Sequence, residues 1–112
     1  MTAHTKAAAA LAAAALLTFH ATAGAQDAQA GRRKASACQA CHGLDGIAKL
    51  PDAPNLASQP AAYLERELRN YRSGTRRNEV MGVAAKSLSD ADIADLAAYY
   101  ASIQIEVKAV PQ

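Results

Sequence analysis

Beyond residue 25 the chain has no tryptophan and no phenylalanine. Its aromatic rings there are Tyr63, Tyr71, Tyr99 and Tyr100, and much of its apolar content is alanine. Alanine buries little area, and the 87 residues from 26 to 112 are close to the size at which a hydrophobic core needs outside help. Something besides side chains therefore has to fill the centre of whatever this chain folds into. A disulfide or a metal ion would staple it, and a large, flat apolar group would do more.

The first 25 residues read differently. A short start with Lys6 leads into an uncharged 13-residue apolar run, Ala7 to Phe19, and then into the small residues Ala21-Thr22-Ala23-Gly24-Ala25. That order is the pattern of a secretory leader. Cleavage after Ala23 or after Ala25 fits an A-x-A rule, and Ala25 is favoured, which makes 26–112 the mature domain. A retained membrane anchor is the alternative, but spanning takes roughly 18 or more apolar residues. Residues 26–112 carry 11 lysines and arginines against 10 acidic residues. That balance gives no ground for binding nucleic acid or an anionic membrane surface.

Export would place Cys38 and Cys41, the only cysteines, in an oxidising compartment. They stand in Cys38-Gln39-Ala40-Cys41-His42, and a C-x-x-C-H run reads as c-type haem attachment. Two thiols three residues apart on a helical turn face one side and reach both vinyl groups of a porphyrin. The adjoining His42 then offers its imidazole to the iron. A thiol–disulfide site and half of a zinc site use the same pair. Zinc finds no second Cys/His pair beyond residue 25, and a redox dithiol calls for a strand–helix alternation that is not visible. His4 and His20 lie in the leader, as does Met1, which leaves His42 and Met81 as the only histidine and the only methionine of the mature chain. Met81 is thus the natural second axial ligand, its soft thioether suited to the role. The alternatives are a Met81 that fills the core, a lysine such as Lys49 or Lys86, or an open position.

The rest of the chain reads as helices. Gln29 to Cys41 predicts a first helix, stopped by Gly43. Residues 43–59, with Gly46, Pro51, Pro54 and Asn55, predict a loop. A ligating histidine needs its other ring nitrogen oriented, and a carbonyl at Pro54 or Pro51 would serve. Pro60 suits the start of a second helix, with Tyr63, Leu64, Leu68 and Tyr71 on one face and Gly74 as its stop. Val80, Met81, Val83 and Ala84 predict a short helix or turn presenting Met81. Ser89 and Asp92 resemble a capping box, and Ile93, Leu96, Ala97, Tyr100 and Ile103 form one stripe of a last helix ending near Ser102. Residues 106–112 read as a tail. The cationic residues Arg69, Arg72, Arg76 and Arg77 either steer an acidic partner or form a solvated face, and exposed charge runs favour the second.

Together these residues resemble a class I cytochrome c, and more narrowly the bacterial cytochrome c4/c553 group. Gly31 stands before Cys38 at the family spacing, and Cys41-His42-Gly43-Leu44-Asp45-Gly46 is similar to its CHG-x-DG. Pro54-Asn55-Leu56-Ala57-Ser58-Gln59 is similar to P-x-L-A-G-Q, with Ser58 where glycine is usual. Tyr63-Leu64, Leu68 and Tyr71 match its Y-L-x-x-x-L-x-x-Y. Leu88 to Tyr100 is close to its final helix. The resemblance implies an all-α fold, three main helices plus short helical turns around one covalently bound haem. It implies that the first and last helices cross, with Gly31 admitting Tyr99, and that the Pro54 carbonyl accepts from His42. Leu68, Tyr71, Leu96 and Tyr100 then help line the haem, and His42 and Met81 hold its iron. The two-haem cytochrome c4 is a tandem, and one haem motif makes this chain similar to one half of it.

The expected function is that of a periplasmic one-electron carrier between respiratory or dehydrogenase partners. It has no catalytic residue, small-molecule substrate or nucleic acid, and works as a soluble monomer. A haem subunit committed to one oxidoreductase complex, a ligand-sensing haem protein with an open sixth position, and a thiol oxidoreductase are the competing readings.

Overall fold

The computed structural model describes residues 26–112, so the leader assigned to 1–25, with His4, His20 and Met1, lies outside the described residues. Asp27 begins the first helix, α1 (Ala28–Lys34), its carboxylate accepting from the backbone N–H groups of Gln29 (2.8 Å) and Ala30 (3.1 Å). The single helix expected over Gln29–Cys41 is broken. A 3₁₀ turn, Ala35–Ala37, follows α1, and a second short helix, α2 (Gln39–His42), carries the cysteine–histidine motif. The break has a local cause. The Ser36 hydroxyl donates to the Arg33 carbonyl (2.9 Å), a back-bond of the kind that bends helices, and the Cys38 N–H reaches only to Ala35 (2.9 Å).

Helix α3 (Ala61–Ser73) starts after Pro60 and ends at Gly74, whose φ of 82° supplies the left-handed stop. Its apolar face is narrower than the sequence stripe. Leu64 is buried and Leu68 and Tyr71 are half-buried, whereas Tyr63 is exposed, with the Arg66 guanidinium 5.2 Å over its ring. Helix α4 (Glu79–Ala84) is capped by Asn78, whose side chain accepts from the Met81 N–H (2.9 Å). Helix α5 (Asp90–Ser102) opens with a complete capping box. The Asp92 N–H donates to the Ser89 hydroxyl (3.0 Å), and the Ser89 N–H to the Asp92 carboxylate (2.9 Å). It ends at Ser102, where the sequence places its end. No strand occurs among the described residues.

The α1/α5 crossing is the main packing contact. A Cβ placed on Gly31 would strike the Asp95 carbonyl and lie 2.7 Å from Tyr99 Cβ, so only glycine admits this approach. Polar ties fasten the crossing. Lys34 Nζ sits 2.8 Å from Asp92 and 2.7 Å from Asp95, and the Asp27 N–H donates to Asp95 (2.9 Å). Against this crossing α3 lays Leu64, giving a core of Ala35, Leu64, Leu96, Ala97 and Tyr100. Ile93 and Leu96 are the largest fully buried side chains, and Ala57 and Ala85 are the remaining buried apolar residues. A core this rich in alanine buries little area, as the composition requires.

Candidate functional site

Helix α2 is a single turn. The His42 N–H donates to the Cys38 carbonyl (3.0 Å), so both cysteines and the histidine emerge from one turn of backbone. Cys38 and Cys41 are half-buried and His42 is buried. Burial, and then the neighbouring Cys41, push the Cys38 thiol up from its ordinary value. A thiol–disulfide exchanger works through a thiolate, so this environment opposes that rival reading. Among the described residues no group of three Cys, His, Asp or Glu side chains is gathered for a metal ion.

The loop after α2 folds back beneath the histidine. Gly43 turns the chain with φ 73°, and a Cβ there would strike Asp45 and the Ile47 carbonyl. The Gly46 carbonyl then accepts from the N–H groups of Leu56 (2.8 Å) and Ala57 (3.0 Å), which closes the loop. Asn55 accepts from Ala48 N–H (2.8 Å), and Asp45 pairs with Lys49 (2.9 Å), which holds the Asp45 carboxyl below the usual range. Of the two prolines considered, Pro54 is the one whose carbonyl meets the imidazole, 2.9 Å from His42 Nδ1. A carbonyl only accepts, so Nδ1 carries the proton and Nε2 presents a lone pair. No described residue hydrogen-bonds to Nε2.

Two tyrosine hydroxyls hold the start of this loop. Tyr99 donates to the Leu44 carbonyl (2.6 Å) and Tyr100 to the Gly43 carbonyl (3.3 Å). Burial raises the Tyr100 phenol well above its ordinary pKa, so its proton stays in place. Sequence patterning places Tyr100 on the apolar stripe, the family resemblance sets Tyr100 by the haem and Tyr99 against Gly31, and neither registers the two hydroxyls. At the loop's other end Ser58 has φ 62°, the left-handed conformation that explains why glycine is usual at this position.

The remaining site residues lie on the helices. Leu96 and Tyr100 are in the core, and Leu68 packs against it half-buried. Tyr71 lines an open groove of about 510 Å³ with Gly74, Arg76, Asn78, Glu79 and Gly82, alongside the helix that carries the half-buried Met81. The cationic stretch is largely neutralised within the fold. Arg69 faces Glu65 (3.3 Å), Arg72 pairs with Asp90 (2.6 Å), and Arg76 pairs with Glu67 (2.8 Å) while stacking over Tyr71 (4.7 Å). Of the four arginines only Arg77 has no carboxylate partner among the described residues. Arg72 also donates to the Leu88 carbonyl (2.8 Å), tying α3 to the segment between α4 and α5.

These residues fit a haem c. Two thiols and an imidazole with a free nitrogen share one turn, and the alanine-rich core leaves Cys38, Leu44, Leu56, Leu68, Leu88 and Ile103 packed against it but only partly buried. A flat apolar group would cover that leftover surface.

Comparison with known proteins agrees. Residues 20–104 match the family described as Cytochrome c. Cytochrome c-554(548) of Halomonas halodenitrificans is 49% identical over 79 residues, covering 68% of this chain and 95% of that protein. Cytochrome c4 of Pseudomonas aeruginosa is 43% identical over 81 residues, covering 72% of this chain but 40% of that protein. The crystal structure of reduced recombinant cytochrome c4 from Pseudomonas stutzeri superposes with a TM-score of 0.67 at 37% identity, over 71% of this chain and 47% of that one. The chain thus spans less than half of these two cytochrome c4 relatives and nearly all of the shorter one. The haem motif on its one-turn helix, the all-helical fold and these matches together establish that the chain belongs to the cytochrome c family, as a class I cytochrome of the c4 type, an electron carrier and not an enzyme, with haem c attached covalently through Cys38 and Cys41.

Proposed function

We propose that residues 26–112 are the mature domain of an exported monohaem cytochrome that carries single electrons between redox proteins of the periplasm, with residues 1–25 removed as the leader. His42 and Met81 are the axial ligands, and Pro54, Leu68, Tyr71, Leu96 and Tyr100 form the surroundings of the haem. The observation that carries this reading is the buried His42, its Nδ1 held by the Pro54 carbonyl and its Nε2 free, one residue from Cys41. When bound, the haem supplies the electron chemistry, its iron passing between Fe(III) and Fe(II). The chain's part is to fix the ligands in both states and to exclude water from the proximal side. The pairing of Arg69, Arg72 and Arg76 with carboxylates within the fold supports a partner contact that does not depend on a cationic face. No small-molecule substrate and no nucleic acid enter the reading, and the domain acts as a soluble monomer. Among the described residues no helix is long and apolar enough to cross a membrane.

The test is expression with export and haem maturation, followed by a denaturing gel stained for haem and a visible spectrum. Covalent haem and a far-red charge-transfer band that disappears in Met81→Ala are expected. Colourless protein with two free thiols would overturn the haem reading, and a far-red band retained in Met81→Ala would remove Met81 as ligand.

A further inference from the structure

We propose that Tyr99 and Tyr100 are positioning residues for the proximal imidazole: their hydroxyls, at the end of α5, fix the loop whose Pro54 carbonyl orients His42. The inference rests on the reading of His42 as the proximal ligand.

Residue Tyr100 holds both ends of the segment 43–58. Its hydroxyl donates to the Gly43 carbonyl at the start (3.3 Å), and its own carbonyl accepts from the Ser58 N–H at the finish (3.0 Å). Tyr99 adds the shorter bond, 2.6 Å to the Leu44 carbonyl. The two carbonyls are not equally dependent on these hydroxyls. Gly43 O also accepts from the Gly46 N–H (3.2 Å), whereas Tyr99 is the sole donor to Leu44 O among the described residues. Pro54 itself is exposed, so it is held in place by the closure of its loop and not by packing. The rings are fixed independently of the hydroxyls. Tyr100 is buried in the core, and the two ring centroids are 5.1 Å apart. Removing the oxygens therefore unfastens the start of the loop from α5 without emptying the core, while the Gly46 closure and the Ser58–Tyr100 backbone bond stay in place.

The consequence follows from how a second partner tunes a ligating imidazole. A firm Nδ1–H···O=C bond makes Nε2 a stronger donor and favours the more highly charged metal state. When the loop loosens, that bond weakens, Nε2 donates less, and the oxidised iron loses relative stability.

The experiment compares haem-loaded wild-type protein with Tyr99→Phe, Tyr100→Phe and the double variant, with Lys34→Met as a control that weakens the α1/α5 contact but leaves the loop untouched. The reduction potential and the solvent exchange of the His42 Nδ1 proton, followed by NMR in the reduced protein, are the readouts. In Tyr99→Phe the potential shifts upward and the proton exchanges about tenfold faster, the factor that one lost hydrogen bond represents, and in the double variant both change further. Lys34→Met lowers the unfolding temperature and moves neither quantity. If the tyrosine variants lose stability but keep the wild-type potential and exchange rate, the hydroxyls are merely structural and the proposal is wrong. Should the double variant not accumulate, Tyr99→Phe alone decides, because its bond is the shorter one. A His42→Ala protein with an unchanged spectrum would instead strike the ligand reading beneath the proposal, a failure visible separately.

Discussion

Replacing Gly31 by alanine sets two effects of opposite sign against each other, and the structure says which wins. Alanine is the better helix former, and at an open helical position the exchange stabilises by about 0.5–1 kcal/mol. At Gly31 the new methyl would overlap the Asp95 carbonyl, lie 2.6 Å from its carbon and 2.7 Å from Tyr99 Cβ. The obstacles are backbone and a Cβ, not the end of a flexible side chain, so no rotamer change relieves them. Ordinary contact needs roughly 3.5–4.0 Å, so α1 has to move away from α5 by more than about 1 Å, and a gap of even that size forfeits a quarter to a half of each contact across it. Overpacking of this kind costs about 1–3 kcal/mol, with a backbone clash at the upper end. Set against the propensity gain, the net loss is about 2 kcal/mol, which for a domain of this size lowers Tm by roughly 8–16 °C. The assay is thermal unfolding of the haem-loaded protein followed by far-ultraviolet circular dichroism. Gly31→Val should cost more than Gly31→Ala. A Gly31→Ala protein with an unchanged or raised Tm would show that the crossing is looser than described.

Three further outcomes are expected. Ser58→Gly relieves a left-handed backbone that costs a non-glycine residue about 1–2 kcal/mol, less the greater freedom of glycine when unfolded, and should raise the urea midpoint by the equivalent of about 0.5–1 kcal/mol; an unchanged midpoint would contradict the strain. Lys34 holds Asp92 at a pKa of about 2 and lowers Asp95, and Asp45 and Asp90 are lowered by Lys49 and Arg72. Depressed folded-state values mean that the folded protein holds these protons less readily than the unfolded one, so their stabilisation is present above about pH 4 and is lost as the pH falls towards 2. Urea midpoints at pH 6, 4 and 2.5 should fall over the last interval, and less steeply in Lys34→Met; a flat profile would refute the linkage. Asn78→Ala removes the cap over the Met81 N–H and costs about 1 kcal/mol. With Met81 as ligand, its far-red band should then vanish at a lower urea concentration than in wild type, while the band of an unaffected ligand would not move.

What the sequence makes legible here is whatever depends on local spacing. The capping box of Ser89 and Asp92, the stripe from Ile93 to Ile103 and the turn that gathers Cys38, Cys41 and His42 are all properties of residues within a few positions of one another. The break in the first helix is not legible, because a run rich in alanine, the strongest helix former, reads as one continuous helix, and the Ser36 back-bond at the break leaves no mark on that pattern. Tyr63 fits its stripe by period, yet it lies at the edge of the face and is exposed to Arg66. The hydroxyls of Tyr99 and Tyr100 act over more than fifty residues of separation, and hydrophobic periodicity registers only their rings. Ser58 was visible as a departure from the family pattern; its consequence, a strained φ, required the backbone. The arginine run reads either way from the sequence, since only Arg69 and Glu65 share a helix face, while the Arg72–Asp90 and Arg76–Glu67 pairs depend on how α5 and the turn after α3 lie against α3.

The two sides of the site are not held equally. On the proximal side His42 is buried, its orienting carbonyl belongs to a loop closed on itself, and that loop is fastened to α5, which is in turn fastened to α1 by Gly31, Lys34 and Asp27. On the other side α4 buries none of its residues, leaves Val80 and Val83 largely exposed, and packs mainly on α3. Its chief polar anchors are its own Asn78 cap and the Arg72 bond to Leu88 beyond its end. Segments with few buried contacts open at a free energy well below that of global unfolding. His42, the proposed proximal ligand, thus belongs to the packed core, whereas Met81, the proposed second ligand, sits on an element with few buried contacts. With Met81 as the proposed second ligand, the haem itself would have to complete the packing of α4, so the same shortage of large apolar side chains that leaves room for a cofactor would also make that cofactor the element that secures Met81.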